Sequence, residues 1–170
     1  MTSLRIRDAE PNDAAALVAL ARDVAAEPEG WLLSSDEWRS ATAERRYLRA
    51  VRRSPHAAVF VAEVQEDLVG RLSVARDPHP ASFHVADLGL MVAATHRRRG
   101  IGRALLGRAA DWARESGVAK LELHVFPDNA PAIALYESFG FVREGYRRNH
   151  YRRGGDYVDA VLMAFATLPE

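Results

Sequence analysis

The chain has 170 residues, 48% of them hydrophobic and 27% charged, which is enough to enclose one proper core and calls for a single domain spanning 1–170. Lysine plus arginine equals aspartate plus glutamate at 23 each, so a net charge of zero gives no general attraction to nucleic acid or to a membrane surface. With no cysteine there is no disulfide, no cysteine metal site and no thiolate nucleophile.

The opening "MTSLRIRDAE" turns polar too soon for a signal peptide, and no apolar run has membrane-spanning length, so a cytoplasmic location is expected. A short strand is predicted over Leu4 to Arg7, then a helix from about Asp13 to Ala26 with Leu17, Leu20 and Val24 on one side. "EPEGWLLSS" breaks it and exposes Trp31. A second helix is predicted from about Ser35 to Arg52, with Trp38, Ala41, Arg45 and Leu48 at helical spacing and Pro55 closing it.

Three β-rich runs follow, "AAVFVAEV", "LVGRLSVARD" and "FHVADLGLMVA", read as an antiparallel meander. A helix over Gly102 to Ser116 then buries Leu105, Ala109, Trp112 and Ala113 and stops at Gly117. "AKLELHV" is a strand, "PAIALYESF" a short helix ended by Gly140, and the remainder two strands around an irregular polar stretch. A strand, a crossover helix and a strand make a right-handed parallel unit, which requires "LGLMV" and "LELHV" to be neighbours in a mixed sheet.

Two local patterns carry chemistry. In "HRRRGIG" three arginines stand where a helix begins, at the end already carrying about half a positive charge, so an anion is missing from the sequence. Gly100 and Gly102 let backbone N–H groups converge on that anion, and a polyphosphate fits better than a single carboxylate. The spacings of a P-loop and of a complete dinucleotide fingerprint are both absent. In "VFPDNAPAIALYESFGF", Asp128 or Asn129 can cap a helix on which Asn129, Ala132 and Tyr136 share one face, a small residue between an amide and a phenol.

Together, Arg97-x-x-Gly100-x-Gly102 after "GLMV" and the later "NAPAIALYESFGF" resemble the GNAT superfamily of acetyl-CoA-dependent N-acetyltransferases. The resemblance implies an α/β fold: a mixed sheet of about seven strands, two splayed parallel strands at its centre, and about four flanking helices. It implies that the pyrophosphate of coenzyme A rests on the turn Arg97, Arg98, Arg99, Gly100, Ile101 and Gly102, with Arg103 and Ala104 beginning the helix beneath. It implies that the pantetheine arm pairs with Leu90, Met91 and Val92, and that Asn129 and Ala132 line its path. Tyr136 matches the general acid for the departing sulfur, and an N–H near Val92 would polarise the acetyl carbonyl.

The implied reaction is direct attack of a neutral primary amine in a ternary complex, which the absence of cysteine suits. Deprotonating an α-amine of pKa near ~8 at pH 7 costs about 1 kcal/mol, whereas a lysine ammonium costs roughly 4 to 5 kcal/mol, so only the lysine strictly demands a strong base. Asp87 and Glu122 are the candidate bases. Asp87 stands where relatives often carry glutamate, and its shorter arm favours a bridging water. No metal is called for, since no histidine pair has the HExxH spacing.

The acceptor is expected between Glu29–Trp38 and Glu144–Tyr157, with Trp31, Tyr146 and Tyr151 in contact, and Tyr146, Arg147, Arg148, His150 and Tyr151 are a set that can clamp a carboxylate. The tail "YRRGGDYVDAVLMA" is similar to the branch containing free L-amino-acid N-acetyltransferases. The acceptor expected is therefore a small-molecule amine, the α-amino group of a small amino acid or analogue. A protein N-terminus, an antibiotic or a polyamine remains open, as does a silent module that only binds coenzyme A. Homodimers are common among such relatives, and nothing in the sequence locates an interface.

Overall fold

The structure, a computed structural model, describes residues 3–32 and 38–168. Its elements are β1 (Leu4–Asp8), α1 (Ala14–Ala25), α2 (Ala41–Arg53), β2 (Ala57–Val64), β3 (Asp67–Arg76), β4 (Val85–Val92), α3 (Ile101–Glu115), β5 (Lys120–Val125), α4 (Ala130–Phe139), β6 (Val142–Arg153) and β7 (Asp156–Ala166). The strands form one mixed sheet in the order β1-β2-β3-β4-β5-β7-β6, with β4 and β5 its one parallel pair among the described residues.

Period-two alternation decides which side chains each face of the sheet receives. On β4, Ala86 and Leu88 are buried in the main core beneath α3, where Leu105 and Leu106 are fully enclosed; enclosing each leucine is worth about 1.5 to 3 kcal/mol. On the opposite face Met91 packs against Leu20, Ala21 and Val24 of α1, and Asp87 is exposed. Helix α1 covers only part of that second face, which leaves a concavity over β4 and β5.

The predicted helix over Ser35 to Arg52 needs correction. Ser35 to Glu37 lie outside the described residues, and Trp38 to Ser40 are not helical. The helix begins at Ala41 because Ser40, in an extended conformation, caps it with its hydroxyl on the Ala43 N–H at 3.2 Å. Its buried face is Glu44, Leu48 and Val51, so Ala41 and Arg45 do not share it. The irregular polar stretch near the C-terminus belongs to a long hairpin: β6 continues through it with register shifts at Arg143/Gly145 and Arg147/Tyr151, and Asn149 takes a positive φ of 49°.

Candidate active site

Parallel pairing between β4 and β5 is brief: Val85 with Lys120, Ala86 with Leu121, Asp87 with Glu122. Beyond Asp87, β4 stays with β3 as far as Gly70–Val92, while β5 follows β7 as far as Val125–Val161. The two central strands therefore splay. One backbone edge of Leu88–Val92 is left open in the middle of a sheet, a place where an extended chain with amide groups can add as a strand. The neighbourhood expected of "LGLMV" and "LELHV" thus holds only at their approaches, and the splay between them is a cleft of about 240 Å³.

Helix α3 opens at one end of this cleft. Gly100 is its N-cap at φ 80° and Arg98 also has positive φ, at 61°, so successive amides turn toward a common centre. Gly100 has no side chain to cap the helix, and its carbonyl accepts from Ala104. No protein acceptor takes the Ile101, Gly102 and Arg103 amides among the described residues. Gly102 is required for packing: a Cβ there would stand 2.8 Å from Leu135, so α4 could not approach α3 as it does. Arg98 and Arg99 are exposed beside the turn.

Arg97 departs from expectation. Its guanidinium makes two 2.7 Å bonds to Glu27 and its Nε donates to the Val92 carbonyl at 3.0 Å. The anion missing for this arginine lies within the chain, seventy residues away, and the fork ties the end of α1 to the end of β4. Only its main chain remains for a ligand, whereas Arg98 and Arg99 keep their charge for one. Arg103 is turned back on the Ser138 carbonyl at 3.2 Å.

Across the splay, Asn129, Ala132 and Tyr136 of α4 line the cleft together with Leu88, Gly89, Leu90 and Met91. Asn129 is the cap, accepting from the Ala132 N–H at 3.2 Å, which leaves its side-chain N–H groups for a ligand; Asp128 instead pairs with Arg153 at 2.9 Å. Tyr136 is 6% exposed, has no hydrogen-bond partner for its hydroxyl among the described residues, and burial pushes its phenol well above the ordinary range. It therefore keeps its proton at any working pH.

Asp87 and Glu122 face each other across the last parallel pair. Asp87 touches solvent but is set in the concavity, and loss of hydration, reinforced by Glu122 and opposed by Arg147, pushes its pKa up to about 6. Glu122 lies 3.7 Å from Lys120, which is held more closely by Glu144 at 2.6 Å. His124 reaches the cleft and is bonded to the Tyr151 hydroxyl at 2.6 Å; burial, then Arg147 and His150, lower its pKa, so it is neutral.

Trp31 lines the cleft, half-buried where the sequence had exposed it. Tyr146 is not brought there. It bonds Asp159 at 2.7 Å and borders a separate hollow with Phe126 and Tyr157, because the bulge in β6 turns this part of the hairpin outward. Leu32 and Trp38, within the expected Glu29–Trp38 segment, line the cleft, and Arg71 and Ser73, which the sequence reading did not place there, complete the wall. Arg71 had a signal, a lone arginine inside the apolar run "LVGRLSV"; its partner Glu44, fully buried, had none.

Residues 19–141 match the model of the Acetyltransferase (GNAT) family. The chain is 34% identical over 175 residues to the L-amino acid N-acetyltransferase AaaT of Escherichia coli (strain K12), covering 96% of this chain and 98% of that one. It is 36% identical over 159 residues to the N-alpha-acetyltransferase RimI of Mycobacterium tuberculosis, covering 92% and 93%. In fold it matches yncA from Salmonella typhimurium, solved with its cofactor acetyl-CoA, at a TM-score of 0.87 and 22% identity over 99% and 96% of the two chains. With the splayed central pair and the uncapped glycine turn, these likenesses establish that the chain belongs to the GNAT family and is an N-acetyltransferase of the kind that uses acetyl-CoA.

Proposed function

We propose that the protein moves the acetyl group of acetyl-CoA to the α-amino group of a small amino acid or analogue, both substrates being held in the cleft at once. The observation that carries this reading is the continuity of the cleft. Leu90, Ala132 and Tyr136 line it on the α3 side of the splay, Trp31, Leu32 and Trp38 on the other. AaaT is by name an enzyme of L-amino acids, and RimI acts by name on an α-amine. The name of RimI also supports a second acceptor, a protein N-terminus.

The residues fit acetyl-CoA. Free amides at Ile101–Arg103 beside two exposed arginines suit its phosphates, and the open edge of Leu88–Val92 suits its amide-bearing arm. When bound, acetyl-CoA supplies a thioester whose carbonyl carbon is electrophilic. Main-chain N–H groups on the open edge of β4 polarise that carbonyl, and Tyr136 holds a proton at its hydroxyl for the leaving sulfur. Burial raises the phenol, and the same dry surroundings disfavour a bare sulfur anion, so the sulfur needs its proton as it leaves. Asp87 takes the proton of the acceptor ammonium through a water, with Glu122 beside it.

This assignment has a pH signature. A base with a pKa of about 6 that takes the proton of a bound ammonium is lost as pH falls through 6, so log kcat/KM should rise with slope one below pH 6 and level off above it, until the ammonium itself titrates at higher pH. In Asp87→Asn the lower break should vanish and the rate fall by about 100-fold, as for loss of a general base. Retention of the break in that variant would remove Asp87 from the chemistry.

The acceptor is tested by thiol release from acetyl-CoA over L-amino acids, peptides with free N-termini, polyamines and aminoglycosides. Turnover confined to polyamines or aminoglycosides would overturn the proposal.

A further inference from the structure

One wall of the cleft holds an electrostatic imbalance that acetyl transfer does not use. Arg71 on β3 is 6% exposed and Glu44 on α2 is 0% exposed. Glu44 is taken most closely by Arg39, at 2.7 Å, and reaches Arg71 through one nitrogen at 3.3 Å. Two guanidinium groups therefore share one carboxylate, and Arg71 is the one without water to cover the difference.

Two donors on this wall are also orphaned. Among the described residues, Arg71 Nε and the indole Nε1 of Trp38 are buried with no acceptor, although nearly all buried N–H groups find one. They are neighbours: the Arg71 guanidinium stacks 5.2 Å from the Trp38 ring, with Tyr47 at 5.9 Å on its flank. Both residues line the cleft. Burial holds the Arg71 guanidinium below its ordinary range despite Glu44, as expected of a cation whose compensation is incomplete.

We infer that Arg71 and the Trp38 indole N–H receive the carboxylate of the acceptor, so that the substrate is a free α-amino acid and not a peptide N-terminus. This rests on the reading of the cleft as an α-amine acetyltransferase site and narrows it. A carboxylate supplies the one negative charge and the oxygen lone pairs that the wall lacks.

The position also suits the reaction. Arg71 lies opposite Met91, and Ser73 lies opposite Gly89, about 7 Å further along β4 toward Asp87. An α-amino acid held by its carboxylate at Arg71 carries its amine toward Gly89. Asp87, another two residues along, is then within a water's reach and out of direct contact. Trp31, Leu32 and Met91 offer the side chain an apolar surface, which favours a hydrophobic amino acid. A peptide N-terminus would put a neutral amide against Arg71 and leave its charge unmatched.

The test uses the full chain with the best acceptor of an L-amino-acid panel, beside the methyl ester and primary amide of the same amino acid. Esterification eases deprotonation of the amine, so a preference for the free acid reports recognition and not reactivity. Wild type should favour the acid by about 10- to 100-fold in kcat/KM, the range of a lost charged hydrogen bond. Arg71→Gln should raise KM for the acid by a similar factor and shift KM for the ester and for acetyl-CoA far less, with Arg71→Lys intermediate. In calorimetry, the N-acetyl amino acid should bind wild type more tightly than its methyl ester, and Arg71→Gln should abolish the difference.

Equal use of acid and ester by wild type overturns the inference, and that comparison stands even if Arg71→Gln does not fold. Equal losses for acid and ester in a folded Arg71→Lys would make the arginine structural and overturn it as well. Turnover of peptide N-termini with no free amino acid overturns the inference while leaving α-amine acetylation intact. Turnover of no α-amine removes the reading beneath it.

Discussion

Gly100→Asp is expected to lose about 100-fold or more of the affinity for acetyl-CoA while keeping the fold. A Cβ at Gly100 meets nothing within 4 Å, so the substitution does not clash. The φ of 80° costs a side chain about 1 to 2 kcal/mol, but aspartate and asparagine are the residues that tolerate this region best. What changes is charge. A carboxylate about 5 Å from a phosphate repels it by roughly 3 kcal/mol at an effective dielectric constant near 20, about two powers of ten. Gly100→Asn separates the contributions, since it carries the same backbone strain without the charge. Titration of acetyl-CoA into both variants should show asparagine within about tenfold of wild type and aspartate far weaker. Equal affinities for the two would take the phosphates away from this turn.

Tyr136→Phe should lower kcat by about 10² to 10⁴-fold, the usual range for loss of a positioned general acid, and leave the dissociation constant of acetyl-CoA within about twofold. The hydroxyl is the only atom removed, and it has no protein partner among the described residues, so no hydrogen bond within the fold is broken. The ring keeps its place beside Phe141, at 5.7 Å between centroids. A fall in kcat with unchanged acetyl-CoA binding assigns the hydroxyl to the chemical step. Undiminished kcat would make Tyr136 a packing residue, and a solvent molecule would have to protonate the sulfur.

Much of this architecture is legible in the sequence where local and global signals agree. The α3 stripe Leu105, Ala109, Trp112 and Ala113 is buried as its spacing requires, and Gly140 ends α4 where expected, donating back to the Tyr136 and Glu137 carbonyls. The two motifs find each other because α4 must pack on α3, and Gly102 against Leu135 fixes how closely. Long-range charge pairing was not legible. Nothing near Arg97 in sequence marks Glu27 as its partner, and nothing near Glu44 marks Arg71. The start of α2 was misread because hydrophobic spacing from Trp38 to Leu48 continued through Ser40, where the capping hydroxyl decides the boundary. Tyr146 was misplaced for a related reason. A bulge shifts register along β6, and alternation counted from the sequence no longer tells which residues face inward.

Direct transfer requires both substrates to occupy one cleft. It is tested most directly by thiol release from acetyl-CoA, measured over a matrix of acetyl-CoA and L-amino acid concentrations. Double-reciprocal lines that intersect, with release dependent on the amino acid, are the predicted result. Parallel lines, or release indifferent to the amino acid, would contradict it.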